Sequence, residues 1–133
     1  MNGNSIGLYD AVPVPVMGPT GAVRFLRSRF PELAHLFSDP DNLDLETPEP
    51  YHSYGIFARE VLVRRDDRNL LPEVYRFIDD MALSGQSILQ ELLVIEVLKT
   101  LAQDAQFATS SYRHIHQEAG EALRDVERQI YGR

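Results

Sequence analysis

The stretch QSILQELLVIEVLKTLAQD, residues 86–104, constrains the fold more than any other part of the chain. Leu89, Leu92, Leu93, Val97 and Leu101 recur at helical spacing and make one face. Ile88, Ile95 and Leu98 widen that face nearly all round. A helix that is apolar on most sides has to be covered on most sides, so this stretch predicts the central buried helix of a helical domain. The stretch before it, LLPEVYRFIDDMALSG (70–85), has the same period. Leu71, Val74, Ile78, Met81 and Ala82 share its face, and Gly85 supplies a stop. The SGQS joint is short, which predicts an antiparallel helix hairpin.

Other amphipathic segments can cover this pair. In GAVRFLRSRF, Val23, Leu26 and Phe30 fall on one side, with Arg24, Arg27 and Ser28 turned away. Pro31 interrupts and can open a short second helix, PELAHLF, in which His35 is an ordinary helix residue. PYHSYGIFAREVLVRRD (50–66) aligns Tyr51, Tyr54, Ala58, Val61 and Leu62, with Phe57 beside them. Gly55 lies mid-helix at a cost of about 1 kcal/mol against alanine, and permits close approach by another element. TSSYRHIHQEAGEALRDVERQIYG (109–132) predicts a last continuous helix capped by Thr109 or Ser110. Its inward face is Tyr112, Ile115, His116, Ala119, Leu123, Val126 and Ile130. The expectation is an all-α chain, a compact bundle of five or six helices over 21–133, preceded by an extended Pro/Gly-rich tail at 1–20. Helix pairs stacked in a short HEAT-like arrangement are compatible with it, although no repeat of fixed period is visible.

A chain of 133 residues suits one domain and can bury about two thirds of its unfolded surface, so it needs no staple. It contains no cysteine, which excludes disulfides, thiolate metal sites and cysteine nucleophiles. Residues 1–20 carry no Lys or Arg and are interrupted by prolines, unlike a signal peptide. No apolar run approaches the roughly 18 residues of a membrane span, so a cytoplasmic location is the expectation. The VPVPV run (12–16) should be extended, as a draped tail or as a segment that docks on a partner. The net charge of −7 argues against nucleic acid and anionic membranes, and suits a basic protein partner.

The residues that most resemble chemistry are YRHIHQE (112–118), with Arg113, His114, His116 and Glu118 close together. On a continuous helix, positions two apart point about 200° apart, so His114 and His116 cannot share a metal there. His114 and Glu118, four apart, could meet, but two ligands do not complete a tetrahedral site. His116, on the apolar stripe, reads as a packed core-edge histidine. Asp79 and Asp80 are adjacent and diverge on a helix. Nucleotide-binding, nucleophile-elbow and HExxH patterns are absent, so no catalytic residue and no cofactor is assigned.

Residues 38–50, SDPDNLDLETPEP, hold Asp39, Asp41, Asp44, Glu46 and Glu49 with no basic residue. A calcium loop would need a central glycine and a Glu at its last position. This run has no glycine, and counting from Asp39 reaches Pro50 there. The segment reads as an acidic loop that could meet a cationic partner, with Tyr51, Tyr54 and Arg59 on the following helix as further contacts.

FPEL (30–33), YHSYGIFAR (51–59) and SGQSILQELLVIEVLKTLA (84–102), followed by a terminal amphipathic helix, resemble a group of small bacterial all-helical proteins. Some of that group resemble immunity proteins that neutralise secreted toxin domains. The resemblance spans roughly residues 22–132 and rests on packing residues. It implies a non-enzymatic protein-binding module with a basic toxin domain as partner. The alternatives are a small metal-dependent or hydrolytic enzyme using His114, His116 and Glu118, and a homo-oligomeric helical adaptor.

Overall fold

A computed structural model describes residues 15–37 and 49–132. All regular structure among these residues is helical. Helix α1 spans Pro19–Arg29 and runs into a 3-10 turn, Pro31–Leu36. Helix α2 is Glu49–Val63 and α3 is Leu71–Leu83. Helix α4 runs from Ser87 to Leu101 as three contiguous stretches: Ser87–Leu92, a wider π stretch Leu93–Leu98, and Lys99–Leu101. Helix α5 is Ala105–Ser111 and α6 is Gln117–Tyr131.

The chain starts its first helix earlier than the tail reading placed it, because Pro19 serves as a first-turn proline. The residues just before it are held. The Met17 amide donates to Gln86 Oε1 at 2.8 Å, and Gln86 Nε2 donates to the Pro15 carbonyl at 2.9 Å. One glutamine at the head of α4 thus clamps the chain as it enters the bundle. Residues 1–14, with most of the VPVPV run, lie outside the described residues.

Burial follows the apolar period. Val23, Leu26 and Phe30 are buried from α1, and Tyr54, Phe57, Ala58 and Val61 from α2. Val74, Ile78 and Met81 are buried from α3, joined by Phe77 and Tyr75. Leu89, Leu92, Leu93, Val97, Leu98 and Leu101 bury most of α4. Ile95 is the exception, at 41% exposure, so one strip of the central helix faces solvent. The π stretch of α4 packs against α2, α3 and α6, which makes it the hub of the bundle. Gly85, at φ +69°, makes the left-handed turn between α3 and α4, a conformation that favours glycine. The two helices it joins pack on each other.

Phe77 is the hub of the aromatic core. Its ring lies 5.2 Å from Phe25, 5.1 Å from Phe30, 5.4 Å from Phe57 and 6.2 Å from Tyr54, centroid to centroid. Arg29 lays its guanidinium 5.2 Å above the same ring and pairs with Asp80 at 2.7 Å. Gly55 does allow the close approach its position suggests: an added Cβ would stand 2.8 Å from Glu96 Oε1.

Candidate functional site

The region 105–118 departs most from the sequence reading. A continuous helix over 109–132 is not formed: α5 ends at Ser111, and α6 begins at Gln117. Local hydrogen bonds explain the break. Asp104 caps α5 by accepting from the Phe107 amide at 3.0 Å. Thr109 and Ser110 therefore lie inside α5 and are not its caps. Ser111 Oγ donates to the Phe107 carbonyl at 2.8 Å, offering the last turn a partner other than a continuing helix.

His116 is then extended (φ −65°, ψ 157°) and exposed, contrary to its expected place on the apolar stripe. It is the N-cap of α6. Its Nδ1 accepts from the Glu118 amide at 3.2 Å, and its own amide donates to Asp79 Oδ1 at 2.6 Å. Asp79 thus pins the start of α6 to α3. His116→Ala should cost about 0.5–2 kcal/mol in urea unfolding, whereas His116→Asn should restore most of that stability. Equal losses in the two variants would show that the ring, not the cap, is what matters.

His114 goes elsewhere. Its ring stacks on Tyr75, with centroids 4.8 Å apart and planes at 14°. Tyr112 and Ile115 pack partly buried against the core. The Tyr112 hydroxyl donates to Glu127, and Arg124 lies 5.3 Å from the ring centroid. Burial, with the Glu127 carboxylate beside it, pushes the Tyr112 phenol up to about 12. The chain therefore does not present His114, His116 and Glu118 as a cluster: one stacks on α3, one caps α6, and one lies in the first turn of α6. Among the described residues no three His, Asp or Glu side chains are placed to hold one metal ion.

Of the residues expected to meet a partner, Asp39, Asp41, Asp44 and Glu46 lie outside the described residues. Glu49 is the first residue of α2. Tyr51 is half-buried and Arg59 is exposed. Tyr54 is fully buried (0% exposed), and its hydroxyl donates to the Ala22 carbonyl at 2.7 Å, tying α2 to α1. Its phenol is raised far above the ordinary tyrosine range by that burial. Tyr54 is therefore a core strut and drops out of the candidate surface.

Sequence reasoning gave no binding role to Tyr75, Ser110 or Arg68, which the fold brings to one side of the molecule beside His114. They come from three separate segments, so no local spacing signals them. No described helix is long and apolar enough to cross a membrane. No protein-family model, curated protein or solved structure matches the chain.

Proposed function

We propose that the chain is a non-enzymatic protein-binding module, and within that class an immunity protein that neutralises a cognate bacterial toxin from the cytoplasm. The observation that carries this reading is where the charge lies. Residues 38–50 contribute five of the seven excess negative charges, while the remaining chain holds 13 basic and 15 acidic residues. The acidity thus belongs to one short segment rather than to the whole surface. The described residues on either side of it are held in the fold. Arg27 Nη1 donates to the Ala34 and Phe37 carbonyls at 2.8 and 3.2 Å, and Phe37 and Pro50 are buried. Carboxylates concentrated in one short stretch of sequence speed encounter with a basic partner. Arg59 and the exposed part of Tyr51 follow directly on α2.

Neutralising Asp41, Asp44 and Glu46 together, as Asn, Asn and Gln, should slow association with the partner about tenfold at low salt and flatten its salt dependence. No apolar side chain is lost, so urea stability should move by less than about 1 kcal/mol. Stopped-flow binding at two salt concentrations reads the effect. An unchanged on-rate in the triple variant would move the interface off the segment, with Arg59 and Tyr51 next to be tested.

A further inference from the structure

Two open grooves, of about 580 and 520 Å³, adjoin where the start of α3 meets α5 and the turn after it. They share Leu71, Tyr75 and Ser110 as a common wall. Each is within the size range of roughly 300–1,000 Å³ that small organic ligands occupy. The two sides of the larger groove differ in kind. Leu71 and the Tyr75 ring stand on α3, and Gln106, Thr109 and Ser110 stand on α5. Thr109 and Ser110 are three and four positions from Gln106, so these uncharged polar residues share one outer face of α5. No side-chain hydrogen bond joins Tyr75, Gln106, Thr109 or Ser110 to a described residue. Tyr75 is only 8% exposed, with its ring covered by His114 on one side and Phe107 near by. A buried phenol normally finds a partner, so an unpartnered one lining two grooves marks a place where a ligand's hydrogen-bonding atom would be stabilised.

The charges along the grooves cancel. Arg65 pairs with Asp104 at 3.5 Å, and Arg76 with Glu73 at 2.8 Å. Of the charges in no ion pair with a described residue, Asp66 and Arg113 line the larger groove, and Asp79 and Arg68 line the smaller. Each groove thus holds one such carboxylate and one such guanidinium. An ion of either sign would meet an opposing charge in the same groove, and it would still give up part of its hydration on entry. An uncharged ligand gives up far less. The groups left to bind it are hydroxyls, which donate and accept equally well, and an apolar wall.

We propose that this double groove binds an uncharged small molecule, an apolar ring with a hydroxyl or amide on its edge. The edge group exchanges hydrogen bonds with the Tyr75 and Ser110 hydroxyls of the shared wall, with Thr109 and Gln106 within the same groove. The ring lies against Leu71 and, in the smaller groove, Pro72.

The test is an amide-resonance NMR titration of the full chain with benzyl alcohol, benzamide, benzoate and benzylammonium, which share a ring and differ in the edge group. The better of the two neutral probes should bind with Kd of about 10 mM or tighter, shifting Tyr75, Ser110 and His114. Both charged probes should bind at least about threefold more weakly than it does. The order of the two neutral probes tells a hydroxyl edge from an amide edge. Tyr75→Phe and Ser110→Ala should each weaken the neutral probe about threefold to tenfold, the worth of one hydrogen bond. Tyr75→Phe removes only a hydroxyl with no partner among the described residues, so the fold is kept. Asp66→Asn and Arg113→Gln should change that affinity less than about twofold. Tighter binding of benzoate or benzylammonium, no localised shifts with any probe, or an affinity unchanged in both hydroxyl variants would overturn the proposal.

Discussion

Phe77→Ala is expected to lower the unfolding free energy by about 3–5 kcal/mol, the largest loss from any single truncation in this chain. The reason is geometric. Phe77 is fully buried and lies within contact range of four other rings contributed by α1, α2 and the joint between α1 and the 3-10 turn. Removing it takes away the transfer energy of a large ring and the edge-to-face contacts with Phe30 and Phe57 together. It also removes the surface on which Arg29 rests. Rings held by three helices cannot collapse inward without moving those helices, so most of the cavity should persist. Against a typical domain stability of about 5–15 kcal/mol, such a loss takes away a large share. Urea unfolding followed by far-ultraviolet circular dichroism measures it. A loss below about 1 kcal/mol would mean that the ring cluster is not the core it is taken to be.

Leu93→Ala should cost about 2–5 kcal/mol by the same logic, at a different place. Leu93 opens the π stretch of α4 and is 2% exposed. That stretch packs against α2, α3 and α6, so a cavity there loosens contacts between elements far apart in sequence. The denaturant midpoint should fall while the slope of the transition stays near that of the parent chain, because the surface exposed on unfolding barely changes. Ile95→Ala, two positions on and 41% exposed, is the natural control and should cost well under half as much.

The contrast between Leu93 and Ile95 shows what could be read from the amino-acid order and what could not. Apolar period located every helix of the central pair, because burial there follows the helical repeat. It could not say which strip of a nearly all-apolar helix stays uncovered, since that depends on how many neighbours arrive. Phe77 falls just off the face counted for 70–85, yet it is the hub of the core. A ring this large reaches across from the edge of a stripe.

The break at 112–116 was invisible for another reason. It contains neither Gly nor Pro, and the segment keeps an apolar period through it. What ends α5 and restarts the chain at α6 is a set of particular hydrogen bonds, from Ser111 to Phe107 and from the His116 amide to Asp79. The second of these joins residues 37 positions apart. The two histidines looked like a pair on a helix, and the fold gives them unrelated tasks. Tyr54 illustrates the converse. Its place on the apolar face was legible, and that burial is what removes it from the binding surface.

The central functional claim is that the chain binds and silences a toxin domain. Co-production of the chain with the toxin domain encoded beside its own gene tests that most directly, with growth and co-elution read together. The account predicts that cells producing the toxin domain alone stop growing, that co-production restores growth, and that the two proteins elute as one complex. Growth arrest that persists at full levels of folded chain, or a gene neighbourhood with no toxin domain in it, would contradict the account.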